Sequence, residues 1–287
     1  MENVSATAKA AKVTYYAYRM GFVSYENAVS IITKVADTLY RVVPRGPSGI
    51  NTLWPHFTEN GGTTALPPRN GFDGTEWSTG DTACAALDMI AALQMIGDPQ
   101  GQIPQFENYL KGINWTGLLS APGLISHGYY YNGARISADC VGFGMETIGT
   151  LWAYASATGN LGQMQPPPSD NGSGFIDNLQ CPLVFSGNDA WGNDWDLYRQ
   201  NMAALQLGWY ASPPHYNRHL ANIHMSGLSA AEPPDIAFGP AEKYVDYGTG
   251  GKGAPEDGND DVVVLHYSGM IAGMFPAEAT RMWEALR

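Results

Sequence analysis

Two carboxylates stand three residues apart in a glycine-rich stretch just before a predicted helix: Asp73 and Glu76. Ser78 followed by Asp81 is typical of a helix N-cap with an acidic residue in the first turn. Apolar residues then recur at spacings of three and four, which predicts a helix over 78–96 with one buried face. Loops held by such elements commonly carry catalytic groups, so the two acids are candidates for acid–base chemistry. The alternative is that they are solvated loop acids or caps.

A third candidate acid, Glu146, lies in a helix predicted from Asp139 to about Thr158. It is next to the apolar side of that helix and near its N-terminal half. A lone glutamate at such a position is more often solvent-facing or salt-bridged, so the residue alone does not define a role. Aromatic residues make up 11% of the chain, with 8 Trp and 16 Tyr. Their ring faces suit sugar binding, although aromatic residues also fill cores.

Composition excludes several classes of function. The net charge of −12 over 287 residues argues against a nucleic-acid or anionic-membrane partner. No apolar run approaches the ~20 residues of a membrane span, and no signal peptide is visible, which leaves the localisation open. The three cysteines, Cys84, Cys140 and Cys181, form neither a disulfide framework nor a metal-binding pattern, and Cys84 is expected in the core.

A metal site is not predicted. His215 and His219 share a helical face and His224 follows, but no acidic third ligand has a suitable spacing. The chain also has no glycine-rich nucleotide fingerprint, P-loop or nucleophile-elbow motif, so we expect no cofactor.

Helices dominate the predicted elements, joined by turns and long irregular loops. The length suits one large or two ordinary domains, and we expect a single all-α domain with its long loops gathered on the site face. Asn132-Gly133 predicts a short β-hairpin, and the long segment 44–68, with its aromatic residues, is expected to be functional. Helices are predicted over about 4–20, from Ser24 through Leu39, and over 78–96, 104–112, 139–158, 194–208, 215–224, 262–273 and 276–286.

Four segments in order resemble the glycoamylase-like family of (α/α)₆-toroid carbohydrate enzymes, which includes bacterial endo-β-1,2-glucanases. The resemblance extends from about residue 17 to 286 and implies an (α/α)₆ toroid that lacks its first helices. One element departs from the family pattern: 221–227 has neither the acid nor the tryptophan found there. The segments that carry the resemblance are Gly21–Leu39, Glu76-Trp77-Ser78-Thr79-Gly80-Asp81-Thr82-Ala83, Gly142-Phe143-Gly144-Met145-Glu146-Thr147, and Gly253-Ala254-Pro255-Glu256-Asp257-Gly258 with Met274–Ala279.

The resemblance implies a glycoside hydrolase that cleaves a β-glucan-like polysaccharide or oligosaccharide with a pair of carboxylates. The family's essential acids map onto Asp73, Glu76 and Glu146. We expect Glu146 to be the general acid and either Asp73 or Glu76 to be the base, in an inverting mechanism without cofactor or metal. The family also suggests a bacterial periplasmic or secreted location. The residues expected to bind substrate are Trp54, His56, Trp77, Tyr130, Trp191 and Asp257.

Two other functions compete with this hypothesis. A polysaccharide lyase on an α/α toroid would want Tyr or His bases and a cation to neutralise a uronate, whereas Arg135 is the one basic residue near the site motifs. A carbohydrate-binding protein that kept the toroid but lost turnover would fit the altered 221–227 element. The oligomeric state and the sugar linkage are not predicted.

Overall fold

The computed structural model describes residues 2–121, 124–138, 150, 153–155, 157–159, 188, 194–212, 227, 230–231, 245–246, 265–285 and 287. The chain divides into two compact units. Unit 1 comprises residues 1–141 and 146–166, and unit 2 comprises 142–145 and 167–287. The single domain remains a prediction.

Unit 1 is built mainly of helices at the predicted positions. The structure adds one short helix, α5, where the sequence indicated only strands and turns. A π-helical turn, Thr38–Val42, continues α2. The helices are α1 (Val4–Arg19), α2 (Tyr25–Asp37), α3 (Thr79–Ile96), α4 (Ile103–Gly112) and α5 (Trp115–Leu118).

The predicted caps begin and end these helices. The hydroxyl of Ser24 accepts a hydrogen bond from the Asn27 N–H at 3.2 Å, and that of Ser78 accepts from the Asp81 N–H at 3.1 Å. These bonds satisfy amide groups that a helix N-terminus leaves without partners. Gly97 ends α3 in the left-handed conformation, with φ of 87°.

Helix α3 is the centre of unit 1, because α1, α2 and α4 all pack against it. Its buried residues surround the helix axis and include Ala83, Ala86, Met89 and Leu93. The prediction of one buried face was therefore wrong. A helix that is apolar nearly all round is one covered on several sides, which three neighbouring helices explain. Cys84 is buried in α3, as predicted.

Helices α1 and α3 run parallel, as two polar contacts between them show. Ser5 bonds to Asp81, and Lys12 Nζ donates to Asp88 Oδ1. In both helices the second contact comes seven residues after the first. We call Lys12 and Asp88 the buried pair, since their side chains are only 3% and 1% exposed.

Small antiparallel sheets organise the connections of unit 1. The predicted long loop 44–68 contains β2 (Phe57–Glu59) and β3 (Thr64–Ala65), and β2 also pairs with β1 (Glu2–Asn3). The predicted short β-hairpin is confirmed. Its turn, from Tyr130 to Ala134, has Gly133 at φ 87°. The other strands are β4 (Trp77–Ser78), paired with β7 (Gly128–Tyr129), and β5 (Leu119–Ala121), paired with β6 (Leu124–Ile125).

In unit 2 the described residues form three helices and one two-stranded sheet. Strands β8 (Ala230–Ala231) and β9 (Val245–Asp246) pair antiparallel. The core joins Ala203, Tyr267, Ile271 and Met282. The three predicted helices are confirmed as α6 (Trp195–Ala211), α7 (Leu265–Met274) and α8 (Pro276–Ala285).

The fold is mostly α, with four small sheets among the described residues. The predicted helix 139–158 falls largely outside the described residues, and 215–224 falls wholly outside them. Within the described part of the chain, no helix has the length and apolar character that a membrane crossing requires.

Candidate active site

The site is built on an antiparallel pairing between the segment 54–57 and β4. The His56 N–H donates to the Glu76 carbonyl at 2.9 Å, and the Ser78 N–H donates to the Trp54 carbonyl at 3.0 Å. His56 and Glu76 are thus directly opposite across two extended segments. Side chains of opposite residues lie on the same face of such a pair, which brings the imidazole and the carboxylate together.

The first turn of α3 adds a second carboxylate. Ser78 is both the end of β4 and the N-cap of α3, so Asp81 follows as the third helical residue. His56 Nδ1 is 3.1 Å from Asp81 Oδ2 and 3.6 Å from Glu76 Oε1. We call His56, Glu76 and Asp81 the trio. Its side chains are 30%, 36% and 12% exposed, so Glu76 is the most accessible member and Asp81 the least.

Electrostatics bind the trio together. Burial by itself lowers the pKa of His56, but the charges of Asp81 and Glu76, with their hydrogen bonds, outweigh it and raise that pKa to about 10. For Asp81, burial acts to raise the pKa, and the imidazolium charge with hydrogen bonds from His56, Ser5 and Ser78 brings it down to about 2. At neutral pH His56 is therefore an imidazolium beside two carboxylates.

The same geometry has the spacing of a metal site: one ligand atom from each trio member lies within 4.8 Å of the others. A metal bound there would displace the proton that joins His56 Nδ1 to Asp81, because a metal-ligating imidazole nitrogen is unprotonated. The contacts within the trio are those of an ion-pair network.

Close backbone packing holds β4, the strand that follows Glu76. Gly128 pairs with Ser78 across β4 and β7 with φ of 132°, and a Cβ atom there would lie 1.9 Å from the Trp77 carbonyl oxygen. A Cβ at Gly46 would come within 2.8 Å of the Trp77 ring. Glycine at both positions lets neighbouring segments press on β4 from two sides.

Of the other predicted site residues, two are exposed on the surface and three lie outside the described residues. Asp73 is exposed, in the loop that follows the turn between Arg69 and Phe72. The Tyr130 side chain is exposed at the tip of the turn after β7. Three predicted site residues, Glu146, Trp191 and Asp257, lie outside the described residues.

Two predicted aromatic platforms are covered. Trp54 is fully buried, with its ring centroid 4.4 Å from that of Tyr109, which makes it a core residue. The core-filling alternative is thus the one that the structure supports for Trp54. Trp77 is largely buried and stacks on Tyr131. Neither ring face is open to a sugar in the way that the sequence hypothesis requires.

Asp81 is the site residue that sequence analysis missed. The sequence identified it as an acid in a capping turn, and that assignment is correct. Its second contact, with His56, joins residues 25 positions apart and depends on strand pairing that no local pattern predicts. The available signal was the cap itself, which fixes an acid immediately beside the Glu76 strand.

Comparisons with known proteins give the fold a context. No profile of a known protein family matches the chain, and no curated protein sequence matches it. An endo-β-1,2-glucanase from Chitinophaga pinensis, in complex with sophorotriose and glucose, aligns with a TM-score of 0.67 and 10% identity over 98% of this chain and 70% of that one. A candidate glucoamylase from Bacteroides uniformis aligns with a TM-score of 0.65 and 12% identity over 98% and 71%.

A β-1,2-glucanase from Parabacteroides distasonis aligns over 98% of this chain but only 44% of its own, with a TM-score of 0.65 and 12% identity. At such identities a structural likeness concerns the fold. The resemblance drawn from the four sequence segments is confirmed at that level: the chain has the mostly helical, glucoamylase-like fold that these carbohydrate enzymes share.

Proposed function

We propose that the protein is a glycoside hydrolase that cleaves a β-glucan-like polysaccharide or oligosaccharide. The observation that carries this proposal is the partly exposed Glu76 carboxylate, held beside the ion pair of His56 with Asp81 at the start of α3. The fold supports the proposal, since two of the structural neighbours are β-1,2-glucanases.

Hydrolysis of a glycosidic bond needs a carboxylic acid that protonates the leaving oxygen and a carboxylate that activates water or attacks the sugar. In the proposed mechanism Glu146 is the general acid, and Glu76 or Asp73 is the base in an inverting reaction. An acid of this kind needs a raised pKa and a base needs a stable ionised form, so the two roles call for different surroundings. No cofactor or metal takes part.

Substrate contacts belong to the same proposal. The open ring of Tyr130 can stack on a pyranose, and Trp191 and Asp257 are the further candidates from the family resemblance. His56 is expected from the family resemblance to contact the substrate. Because its Nδ1 faces two carboxylates of the protein, we assign it to the trio instead.

Reducing-end release from a panel of β-linked glucans, β-1,2-glucan included, tests the function. We expect the wild type to cleave one glucan and Glu146→Gln to abolish that cleavage while sugar binding persists. Glu107→Gln, an exposed glutamate on α4, is the matched control and should cleave like the wild type.

The alternative is a carbohydrate-binding protein without turnover, which the altered 221–227 element favours. Silence of a folded wild type across the panel, with sugar still bound in calorimetry, would replace the hydrolase by this alternative. Absence of both cleavage and binding would contradict both functions.

A further inference from the structure

We propose that His56, held by Asp81, is a positioning residue that fixes the place of the Glu76 carboxylate, which makes Glu76 rather than Asp73 the base. The inference rests on the proposed hydrolase function and sharpens it by choosing between two acids that the sequence leaves equivalent.

One nitrogen faces both carboxylates of the trio. His56 Nδ1 is 3.1 Å from Asp81 and 3.6 Å from Glu76, so its proton is directed to Asp81 while its charge attracts both. A fixed positive charge limits the positions that a neighbouring carboxylate adopts. A general base must be held within reach of the proton that it removes, so this placement suits Glu76 for the role.

His56 is itself held in place by contacts from several elements. Asp81 is fixed by the N-cap of α3 and by hydroxyl contacts from Ser78 and from Ser5 of α1. The ring of His56 also lies against that of Phe57, with centroids 4.0 Å apart. The imidazolium is thus held from several elements, which is what orients a neighbouring carboxylate reproducibly.

Asp73 has different surroundings from Glu76. Asp73 is exposed in its loop, and among the described residues no cation forms an ion pair with it. Water solvates an exposed carboxylate and leaves its orientation free. Only Glu76, of the two acids, combines partial exposure with a fixed cationic neighbour.

The elements packed around the trio carry further titratable groups. Helix α1 contributes Lys9 and Lys12, and α3 contributes Asp88; Lys12 and Asp88 pair with each other two helical turns, or about 10 Å, further along. On the side of β7 stands His127, whose carbonyl accepts a hydrogen bond from the Thr79 N–H. Asp73 completes the set.

The test measures protonation directly by NMR in the full chain. We expect ¹⁵N shifts of His56 to show imidazolium at pH 8 in the wild type and neutral imidazole at that pH in Asp81→Asn. In His56→Gln, where glutamine keeps a hydrogen-bond donor but removes the charge, the two γ-methylene protons of Glu76 should lose the shift difference that a single side-chain orientation gives them; Glu76→Gln assigns these signals.

Arg69→Gln is the matched control, because it removes a cation from an exposed ion pair with Glu59 in the same loop region. It should leave the Glu76 γ-methylene shifts unchanged. Unchanged Glu76 shifts in His56→Gln, or neutral His56 in the wild type at pH 7, would overturn the proposal. Stoichiometric Zn²⁺ binding that His56→Gln abolishes would overturn it too, since the trio would then be a metal site.

Activity supplies the second measurement. On a cleaved glucan, His56→Gln should lower kcat by up to about 10²-fold with KM little changed, because the base is no longer held in place. A kcat equal to that of the wild type would contradict the positioning role. If no glucan is cleaved, the proposed function fails by itself, while the NMR measurements still accept or reject the placement of Glu76 by His56.

Discussion

Helix α3 takes part in two charged contacts that lie two turns apart and differ in almost every physical respect. The buried pair, Lys12 with Asp88, is sealed from water and leaves Asp88 Oδ2 without a hydrogen-bond partner. The trio is partly open, and one cation there serves two carboxylates. Burial raises the pKa of Asp88, whereas the pKa of Asp81 is lowered to about 2.

The difference shows that one helix can carry a contact that matters for stability and another that is accessible for chemistry. A sealed ion pair recovers little more than its desolvation cost, yet loss of one partner leaves an uncompensated charge in the core. A half-open cluster has a smaller structural effect, but it leaves a charged oxygen in contact with solvent, where a substrate can reach it. Substitutions that remove each contact in turn should separate these effects.

The largest effect is expected for Glu76→Gln, measured on the glucan that the wild type cleaves. Removal of a general base should lower kcat by about 10²–10⁴-fold, and Asp73→Asn should cost much less. Chemical unfolding should show that Glu76→Gln changes stability by no more than about 0.5 kcal/mol. Equal losses of kcat in both variants would mean that the two acids act together.

Breaking the buried pair should have the opposite profile. Lys12→Met leaves Asp88 charged and buried, so we expect the free energy of unfolding to fall by about 3–5 kcal/mol. Urea unfolding of the double variant Lys12→Met with Asp88→Leu checks the cause, because removal of both charges should restore most of that loss. A double variant as unstable as the single one would show that packing, not charge, is responsible.

The trio should stabilise the fold in a pH-dependent way. The pKa of His56 is raised to about 10, so its contribution is complete below about pH 6.5 and is lost as the pH rises towards 10. The pKa of Asp81 is lowered from 3.8 to about 2, so its contribution is lost as the pH falls from 3.8 towards 2. His56→Gln should therefore cost most between about pH 4 and 6.5.

At pH 5 that cost should be about 1–2 kcal/mol, the range of hydrogen bonds to charged groups after allowance for solvent. Urea midpoints of wild type and variant at pH 5 and pH 10 measure it, and the gap should close at pH 10. A constant gap across this range would attribute the loss to the shape of the side chain.

The smallest effect on stability is expected for an ion pair on the protein surface, where water weakens the attraction between the charges. Arg41 and Asp37 lie 3.2 Å apart on the surface, with side chains 68% and 47% exposed. Arg41→Ala should change the free energy of unfolding by about 0.5 kcal/mol or less, and high salt should remove even that. A larger change would question the ranking of the three contacts by exposure.

Sequence analysis located the helices well because their ends are encoded locally. Ser24, Ser78 and Asp194 cap the helices that they were expected to begin, and Pro276 opens the last one. The burial of α3 on several sides was not predicted, since it depends on how many helices surround it rather than on its own period.

The site was predicted in part. Glu76 stands out by its surroundings in the sequence, whereas the partnership of His56 with Asp81 arises only when 54–57 pairs with β4. Trp54 shows the same limit: an aromatic residue in a long loop can face sugar or core, and the stacking partner Tyr109 lies on a helix far along the chain. Non-local pairing decides both cases.

The parallel seam between α1 and α3 also has a kinetic consequence. Any fluctuation that lifts α1 away would remove the Ser5 contact to Asp81 and the Lys12 contact to Asp88 in one event. Amide protons on the facing sides of both helices should therefore exchange with solvent as one cooperative unit. The rate at which α1 detaches then sets how long Asp81 keeps its contact with Ser5, so a helix without a catalytic group contributes to the support of the site.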